Sequence, residues 1–528
     1  MTERLIRSLT SGQAYPHAVE RVERIETHIS WVLLAGDYVY KVKKPLDLGF
    51  LDFTDLDRRR FYCEEEVRLN RRTAPTLYLD VVAIRGTPES PRLAGNDVDD
   101  GEAIEYAVRM RRFDSDLGFD RLLARGRLTR AHIADLAVQL AELHESAAVA
   151  GIDSGYGGFD EIAGPMRDNF DALAAAGADR ERIRRLQEWT ERQLERQRRR
   201  IGDRLRDGFV RECHGDAHLG NVTLYRQRAT LFDCIEFNAD LRWIDVINDL
   251  SFTFMDLRDR GAPGLAWVLL DEYLGRTGDY DGVRLLPLYA VYRALVRAKV
   301  QTFARDQAED ETSRRRLADE VEGYLALADA IAAEHRPAMV ITMGLSGSGK
   351  SWLAARLVER AGVVRVRSDV ERKRLHGLAP DESSGSGLDR RIYSSAATER
   401  TYERLVEAAD AVCDAGIPAV LDATFLKRWQ RDRVRARARA RDTGFAIVHC
   451  TAPEQELVRR IRERDRRGDD PSEAGLEVLA AQTRSAQALQ GDERRVAIDV
   501  DTRAADAVER VLQGLPVVPA GSVVEPQD

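Results

Sequence analysis

A short glycine-rich run in the C-terminal half of the chain has the residue types of a phosphate-binding loop. It matches the pattern G-x-x-x-x-G-K-[ST] in full and consists of Gly344, Leu345, Ser346, Gly347, Ser348, Gly349, Lys350 and Ser351. In this pattern the backbone N–H groups curl around phosphate oxygens, the lysine reaches the β and γ phosphates, and the serine hydroxyl ligates Mg²⁺. An apolar strand precedes the run and an amphipathic helix follows it, so a plain glycine turn is the weaker interpretation. The sequence therefore predicts a site for ATP or GTP with Mg²⁺.

Two aspartates follow strands that are predicted to lie beside this loop. Asp369 comes soon after the strand at 363–366, and Asp422 ends the strand at 419–421. The carboxyl ends of parallel strands meet at one edge of a sheet, and ligands bind at that edge. A general base or a contact for a substrate hydroxyl is the role that this position opens to Asp369, and Asp422 is suited to hold Mg²⁺ through water. A structural role for Asp369 as the N-cap of the next helix is the alternative.

An arginine-rich helix near the end of the chain supplies further candidates. It carries Arg459, Arg460, Arg464 and Arg467 just before residues 468–471. Such arginines are able to close over a triphosphate as a lid, and we place Arg464 among the residues that contact the nucleotide. Plain surface charge is the competing interpretation for each of them.

These residues carry a resemblance to a known group of kinases. The phosphate loop, Ser368-Asp369 with Arg372, Asp422 and the arginine-rich helix resemble the P-loop small-molecule and polynucleotide kinase group. That group includes gluconate-kinase-like, polynucleotide-5′-kinase-like and zeta-toxin-like proteins, and the likeness covers residues 337–502. It implies transfer of a phosphate to a hydroxyl group that the aspartate at position 369 contacts.

A second set of chemistry-bearing residues lies in the N-terminal half, in the segment CHGDAHLGN at 213–221. Asn221 stands five residues after Asp216, which is the spacing of the protein-kinase catalytic loop. We expect Asp216 to accept the acceptor's proton, and Asn221 and Asp233 to bind Mg²⁺. Zinc binding by the two histidines of the segment is an alternative that its glycines disfavour, and ordinary buried histidines are another.

The segment resembles the H-G-D-x-H-x-x-N loop of the aminoglycoside phosphotransferase and choline kinase-like family. Leu140-Ala-Glu-Leu143-His144 and Asp249-Leu250 add to the likeness, which extends over about residues 25–300. It implies a two-lobed fold of the protein-kinase type in which Asp249 steadies the catalytic loop. An ordinary helix residue is the alternative for Asp249.

The same resemblance assigns a lysine and a glutamate to the nucleotide. It implies that Lys41 grips the α and β phosphates and that Glu65, on the predicted helix 57–72, pairs with it. Lys43 and Glu66 are near-equal alternatives, because residues two apart lie on one face of a strand. No G-x-G-x-x-G loop precedes Lys41, and the residues Glu-Thr-His-Ile-Ser at 26–30 stand in its place.

The pattern of predicted elements divides the chain into a strand-rich part, a helical part and an alternating part. Strands are expected at 27–35, 38–43, 78–84 and 103–110, with a hairpin turn at Gly36-Asp37 and a loop at 87–101. Helices dominate from Thr129 to about 333, and the first of them has Leu136, Leu140 and Leu143 at helical spacing. From 337 onward strands and helices alternate, which predicts a parallel sheet.

The length of 528 residues is more than one hydrophobic core fills, so more than one domain is expected. We predict an N-terminal α+β domain at 1–335 with the two-lobed protein-kinase-like fold of the aminoglycoside phosphotransferase/choline kinase type. An α/β P-loop NTPase domain with a parallel sheet is predicted at 337–514, a loop at 381–387 and a loose tail at 515–528. The chain as a whole resembles bacterial bifunctional aminoglycoside phosphotransferase-like and ATP-binding proteins.

The composition narrows the compartment and the partners. The five cysteines include no Cys-x-x-Cys, and no apolar run is long enough to cross a membrane, so a cytoplasmic protein is expected. The formal net charge of −8 makes nucleic acid an unfavoured partner.

The function that these patterns favour is ATP- and Mg²⁺-dependent phosphotransfer to the hydroxyl groups of small-molecule acceptors at two nucleotide sites. A regulatory ATP-binding protein in which one domain acts as a sensor is an alternative. A nucleic-acid 5′-hydroxyl kinase is another, suggested by the arginine runs at 428–441 and 459–467.

Overall fold

A computed structural model describes residues 2–49, 51–93, 102–333, 337–379, 382, 394–467 and 474–516. Contacts between Cα atoms divide the chain into two compact units. The first unit comprises Met1–Gly164 and Arg198–Thr253, and the second comprises Pro165–Gln197 and Phe254–Asp528. The domain boundary near residue 335 stays a prediction. The predicted loop at 381–387 lies outside the described residues apart from residue 382, and so does the predicted tail from residue 517 onward.

The first unit contains a six-stranded antiparallel sheet with the strand order β1-β2-β3-β6-β4-β5. Its strands are β1 Val22–Glu26, β2 Ser30–Ala35, β3 Tyr38–Lys43, β4 Tyr78–Thr87, β5 Ser90–Leu93 and β6 Ala103–Arg111. The predicted hairpin forms, with Ala35 opposite Tyr38 and with Gly36 at a positive φ of 60°. The prediction of a loop from residue 87 is wrong at β5, which pairs with the extended end of β4; residues 94–101 lie outside the described part.

One helix of the first unit, α2 at Leu56–Asn70, packs on β4 and β6. Its start is fixed by Asp55, whose side chain accepts hydrogen bonds from the backbone N–H groups of Asp57 and Arg58. This confirms the predicted helix at 57–72 within two residues at its end. Glu66 lies on the buried side of α2.

The remaining elements of the first unit carry the catalytic-loop segment. The helices are α1 Thr2–Leu9, α3 Phe119–Ala124 and α4 Arg130–Ser146, and the strands are β7 Val210–Glu212, β8 Val222–Tyr225, β9 Arg228–Leu231 and β10 Trp243–Asp245. Thr129 caps α4, and the leucines at helical spacing in α4 are buried, as predicted. β8 and β9 form a hairpin, and β7 pairs with β10. Residues of α5 Phe159–Ala175, α6 Arg180–Arg206 and α7 Val246–Asp259 are divided between the two units.

The second unit contains a five-stranded parallel sheet with the order β12-β13-β11-β14-β15. Its strands are β11 Ala338–Met343, β12 Val364–Arg367, β13 Ala419–Asp422, β14 Gly444–Thr451 and β15 Ala497–Asp501. Every residue of β11 is buried, because strands inside such a sheet are covered on both faces. The carboxyl ends of β11, β12 and β13 therefore meet at one edge.

In the described part of the chain, the second unit also contains eleven α-helices besides its parts of α5, α6 and α7. They are α8 Pro263–Thr277, α9 Leu286–Gln307, α10 Glu311–Ala332, α11 Lys350–Ala361, α12 Ser368–Leu375, α13 Ser395–Asp414, α14 Arg428–Ala440, α15 Glu454–Arg467, α16 Leu476–Ser485, α17 Gly491–Arg494 and α18 Ala507–Gly514. The antiparallel sheet with α2 in one unit and the parallel sheet with its phosphate loop in the other confirm the predicted fold class. Among the described helices, none has both the length and the apolar character that crossing a membrane requires.

Candidate active sites

The phosphate loop connects β11 to α11, as the motif predicts. Gly347 has a φ of 79° and Gly349 a φ of 87°, which are left-handed conformations that L side chains rarely adopt. A Cβ atom at Gly347 would lie 2.7 Å from the carbonyl oxygen of Leu457, and one at Gly349 would lie 2.7 Å from Thr502 Oγ1. Glycine is therefore required at both positions by backbone conformation and by space.

Lys350 lies buried at the first turn of α11. Its Nζ donates a hydrogen bond to the carbonyl oxygen of Leu345 at 2.8 Å, so the ammonium group lies over the loop. Burial lowers the pKa of Lys350, and the nearby carboxylate of Asp422 acts in the opposite direction. Phosphate oxygens placed beside this ammonium would favour its charged form further.

A cavity of about 510 Å³ brings the predicted residues of this half together. Lys350, Ser351, Asp369, Asp422 and Arg464 all line it. We call this cavity with its loop the phosphate-loop site. The sequence thus predicted correctly that Asp369 and Asp422 lie beside the phosphate loop, near the ends of their strands.

Asp422 has the environment of a cation ligand. Its Oδ2 atom is buried and has no hydrogen-bond partner among the described residues. A buried carboxylate oxygen without a donor is unfavourable unless a cation or water faces it. Ser351 lines the same cavity, and hydroxyl and carboxylate oxygens are the donors that Mg²⁺ prefers. Both residues therefore fit the predicted Mg²⁺ site.

Asp369 lies in the first turn of α12, on the wall of the cavity. The N-cap of α12 is Arg367, and the helix begins at Ser368. The alternative interpretation of Asp369 as the N-cap is therefore wrong. A carboxylate in the first turn is favoured by the helix dipole, and its position in the cavity is open to an acceptor.

The arginines of α15 have different surroundings. Arg460 Nη1 donates to Thr502 Oγ1 at 2.8 Å, and Thr502 Oγ1 donates to the carbonyl oxygen of Ser348 at 2.9 Å, so Arg460 braces the loop. Arg459 is half-exposed and pairs with two glutamates of its own helix. Arg464 lines the cavity and donates to the carbonyl oxygen of Ala474. The side chain of Arg467 lies outside the described part.

Gln482 is a residue of this site that the sequence did not indicate. It lies on α16, lines the cavity, and accepts a hydrogen bond from the backbone N–H of Ser346 at 2.8 Å. A backbone donor of the phosphate loop is thus bound by a neutral side-chain oxygen. A glutamine on a short polar helix gives no motif, so only the tertiary structure reveals this contact.

In the first unit the catalytic loop is held by Asp249. The Asp249 carboxylate accepts hydrogen bonds from the backbone N–H groups of His214 at 3.0 Å and Gly215 at 2.8 Å, and its Oδ2 lies 3.0 Å from His144 Nε2. Burial alone would raise the pKa of Asp249, but these hydrogen bonds, that from His144 foremost, lower it to about 2. The alternative that Asp249 is an ordinary helix residue is wrong, since it organises the loop as the resemblance implied.

Asp216 and Asn221 contact each other across the loop. Asn221 Nδ2 donates to Asp216 Oδ2 at 2.9 Å and to the Asp216 carbonyl oxygen at 3.0 Å. Each histidine of the segment has a hydrogen-bond partner in the protein. His214 Nε2 lies 3.0 Å from the carbonyl oxygen of Phe232, and His218 Nδ1 accepts from the N–H of Gly220. The potential metal-binding group found among the described residues contains neither histidine, so the zinc alternative has no support there.

The prediction that Glu65 pairs with Lys41 is wrong. Lys41 Nζ lies 2.9 Å from Glu66 Oε1, and Lys43 Nζ donates to Glu66 Oε2 at 2.8 Å. Glu65 instead pairs with Arg68 on its own helix at 2.8 Å. One residue changes the direction of a helical side chain by about 100°, so adjacent glutamates cannot both face the strand. Both lysines of β3, in contrast, share one face as expected.

Two further carboxylates complete this charged cluster. Asp233 Oδ1 accepts a hydrogen bond from Lys41, and Glu236 accepts one from Lys43. Asp233 is half-exposed and has a φ of 62°, which is unusual for a residue with a side chain and is often found at functional sites. We call Lys41, Glu66, Asp216, Asn221 and Asp233 together the catalytic-loop site.

The turn between β1 and β2 stands where protein kinases have a glycine-rich loop. It consists of residues 27–29 and is closed by Thr27, whose backbone N–H donates to the carbonyl oxygen of Ser30 at 2.9 Å. Thr27 Oγ1 also accepts from the N–H of Ser30 at 3.0 Å. None of the residues 27–29 of this turn is a glycine.

Comparisons with known proteins give one match to the C-terminal part and one to most of the chain. A family model described as an AAA domain matches residues 339–489. The chain is 29% identical over 463 residues to an uncharacterized protein of Mycobacterium tuberculosis. The aligned region covers 86% of this chain and 88% of that protein. The first match contains the phosphate loop and confirms the prediction of a P-loop domain in the C-terminal part.

Two solved structures with likeness to this chain are both named as kinases. A sugar kinase from Janibacter sp. is 24% identical with a TM-score of 0.28, over 35% of this chain and 97% of that chain. A choline/ethanolamine kinase family protein from Mesorhizobium loti is 15% identical with a TM-score of 0.36, over 62% of this chain and 99% of that chain.

Replacing Glu66 tests the corrected ion pair. We expect Glu66→Gln to lower the free energy of unfolding by about 3–5 kcal/mol, because it leaves two buried lysines short of a counter-charge. Glu65→Gln, one residue earlier on the same helix, should cost less than about 1 kcal/mol, since the close partner of Glu65 is the half-exposed Arg68 and its more distant partner Arg242, at 3.6 Å, keeps Glu212. Urea unfolding of both variants measures the difference. Equal losses would contradict the assignment of Glu66.

Proposed function

We propose that this protein is an ATP-dependent phosphotransferase with two nucleotide sites, each transferring the γ-phosphate to a hydroxyl group of a small-molecule acceptor. The observation that carries the proposal is the cavity in which Lys350, Asp422 and Asp369 lie together. A cation for the phosphates, a ligand for Mg²⁺ and a base for the acceptor are the groups that phosphoryl transfer needs.

At the phosphate-loop site, the loop N–H groups and the ammonium of Lys350 would hold the β and γ phosphates. Ser351 and Asp422 would hold Mg²⁺, and Mg²⁺ bound there neutralises charge on the phosphate oxygens. Asp369 would take the proton of the acceptor hydroxyl and orient its oxygen toward the γ-phosphorus. Asp369 follows β12, and β13 lies between this strand and β11, which leads into the phosphate loop, so the placement of Asp369 supports this division of roles.

At the catalytic-loop site, Asp216 would take the acceptor's proton while Asn221 keeps the carboxylate oriented. Asn221 and Asp233 would hold Mg²⁺, and Lys41 would contact the α and β phosphates. Glu66 fixes Lys41, and Asp249 fixes the loop through two backbone hydrogen bonds. These supports are buried and paired, which favours a working site.

One observation favours a second candidate function for the first unit, that of an ATP-binding sensor. Lys41 is bound directly to Asp233, so a nucleotide with its metal has to separate a buried lysine from an aspartate. The β1–β2 turn also contains no glycine to approach the phosphates closely. Binding of ATP with Mg²⁺ at millimolar concentration, without turnover, would favour the sensor function.

The structure does not favour the nucleic-acid kinase alternative. The arginines of α14 pair mostly with acidic side chains of the same unit, including Arg431 with Glu493, Arg435 with Asp492 and Arg437 with Asp410. Charges that are neutralised inside the protein contribute little attraction to a phosphate backbone. A small acceptor therefore stays the preferred class.

The role of Asp369 can be separated from nucleotide binding. We expect Asp369→Asn to lower acceptor phosphorylation at the phosphate-loop site by ~10²-fold with an unchanged Kd for ATP, because asparagine keeps the shape and removes the basicity. The assay screens sugars, choline-like amines, aminoglycosides and 5′-hydroxyl oligonucleotides for ATP-dependent phosphorylation. It also tests the proposed function, since phosphorylation of none of these classes would count against it.

A matched control for this variant is Asp310→Asn. Asp310 caps α10 in the same unit, with its side chain accepting from the N–H of Ser313 at 2.8 Å. Asparagine caps a helix about as well as aspartate, so both the rate and the Tm should stay at the wild-type values. A wild-type rate in Asp369→Asn as well would remove Asp369 from the catalytic residues.

A further inference from the structure

The helix α8, which lies nearly 70 residues before the phosphate loop, contacts two elements that carry residues of the phosphate-loop site. α8 packs closely against α11 and β12 in the second unit. A Cβ atom at Gly264 would lie 2.8 Å from the carbonyl oxygen of Glu359, and one at Gly362 would lie 2.7 Å from Trp267 Nε1. Such close approach on both elements indicates that α8 is a fixed part of this site's framework.

A buried ion pair joins α8 to β12. Arg365 Nη2 donates to Asp271 Oδ2 at 2.9 Å, and the backbone N–H of Arg365 donates to Asp271 Oδ1 at 3.0 Å. β12 is the edge strand of the parallel sheet, so it exposes backbone donors on its outer side. Asp271 satisfies one of these donors and the guanidinium group at once, and both side chains are buried.

The helix α8 also contacts α12, the helix that follows β12. Arg374, on α12, donates to the carbonyl oxygen of Gly275 at 2.7 Å. Arg374 also pairs with Glu371, which is fully buried and accepts a second hydrogen bond, from Arg404. Asp369 lies between these two anchor points, four residues after Arg365 and five before Arg374.

The positive charge of Arg365 also interacts with Asp422. Burial acts to lower the pKa of Arg365, but the carboxylates of Asp271 and then Asp422 raise it above its usual value. Asp422 is the Mg²⁺ ligand of the proposed function, and its register partner across β12 and β13 is Arg367. Arg365 thus contributes positive potential close to Asp422 while its own charge is held by Asp271.

We propose that Asp271 is a positioning residue for the phosphate-loop site, which it acts on by fixing Arg365 and the strand that leads to Asp369. The inference rests on the proposed turnover of ATP at that site. It means that a helix from the part of the chain before residue 335 sets the acceptor side of the C-terminal site, while the nucleotide side rests on the phosphate loop. Movement of α8 would then change the rate of transfer more than nucleotide affinity.

The test introduces Asp271→Asn into the full chain carrying Asp216→Asn, so that the catalytic-loop site does not contribute to turnover. The amide places an N–H₂ donor against the guanidinium donors and leaves Arg365 without its counter-charge. We expect kcat for ATP turnover to fall roughly 10- to 100-fold, with the KM for Mg-ATP within about 2-fold of wild type, because misplacement of the base slows transfer without removing a phosphate contact. Arg374→Met, at a partly exposed residue, removes the second anchor and should shift kcat in the same direction.

The matched control is Glu493→Gln, which breaks another buried arginine–carboxylate pair of the same unit, that with Arg431. It should reduce the Tm while kcat stays within about 2-fold of wild type, because Arg431 lies on α14 and Glu493 on α17, and neither belongs to β12 or α12, the elements on either side of Asp369. Equal kcat losses in Asp271→Asn and Glu493→Gln would show only general destabilisation and overturn the inference. A raised KM at unchanged kcat would overturn it too.

A second readout separates this inference from the proposed function. Lys350→Ala, in the full chain carrying Asp216→Asn, tests turnover at the phosphate-loop site itself, and unchanged turnover in that variant contradicts the function proposed for this site. Hydrogen exchange of the backbone amides then tests the role of Asp271 without an activity assay. Faster exchange in α12 of Asp271→Asn, but not of Glu493→Gln, supports the positioning role, and identical exchange in both variants overturns it.

Discussion

Lys350→Ala is expected to lower ATP turnover at the phosphate-loop site by ~10³-fold, because the ammonium is the buried cation that the β and γ phosphates would meet. The fold should persist, since the Nζ of Lys350 makes its hydrogen bond to the loop's own backbone, at Leu345. Burial has already lowered the pKa of this lysine, and phosphate binding would restore the charged form. Turnover is measured on the full chain carrying Asp216→Asn, so that the catalytic-loop site does not contribute.

A second lysine of the same unit serves as the control. Lys299, on α9, also has a pKa that burial lowers, but it does not line the cavity. Lys299→Ala should therefore leave turnover within about 2-fold of wild type. Unchanged turnover and unchanged ATP binding in Lys350→Ala would reject the phosphate-loop site as a nucleotide site.

The parts of the structure that the sequence predicted well are those set by local rules. The phosphate loop is contiguous, and its glycines are dictated by φ angles and by neighbouring backbone. Asp422 and Asp369 were predictable because strand ends in a parallel sheet collect at one edge whatever the loops do. The hairpin at Gly36 follows from turn chemistry of the same local kind.

The parts that were missed depend on the direction of single side chains and on distant pairings. Glu65 and Glu66 are equivalent in sequence, and only the rotation of α2 against β3 decides which of them meets Lys41. Gln482 contacts Ser346 across more than a hundred residues, and Asp271 contacts Arg365 across more than ninety. Neither contact leaves a periodic or motif-like signal, so each requires the tertiary structure.

Burial explains why the supporting residues were harder to predict than the reacting ones. Glu66 and Asp271 are carboxylates that are fully or almost fully removed from solvent, and each has a basic donor as partner. Asp249 is equally buried, and the resemblance to a known family indicated its role. A buried charge is stable only where such partners converge. These carboxylates fix the groups that carry the chemistry, and their role comes from geometry that a linear pattern does not record.

At the catalytic-loop site, Asp216→Asn is expected to lower phosphotransfer by ~10³-fold while the Kd for ATP stays nearly unchanged. The carboxylate of Asp216 accepts a hydrogen bond from Asn221, and in the proposed function it takes the acceptor's proton. Asparagine keeps the size of the side chain and removes the basicity, so the loss should appear in kcat. The measurement uses the full chain carrying Lys350→Ala, with the same panel of acceptors.

Asp233→Ala is the companion variant, and it should behave in the opposite way. Removing this carboxylate takes away a proposed Mg²⁺ ligand and leaves Lys41 with Glu66 alone, so the Kd for Mg-ATP should rise. The control is Asp240→Asn, at an exposed aspartate of the following loop, and it should match the wild type.

Binding of Mg-ATP that survives Asp233→Ala, together with a wild-type rate in Asp216→Asn, would contradict phosphotransfer at this site. Binding that depends on Asp233 without measurable transfer in the parent chain would identify the first unit as a sensor, because a metal-dependent nucleotide site needs Asp233 whether or not Asp216 acts as a base.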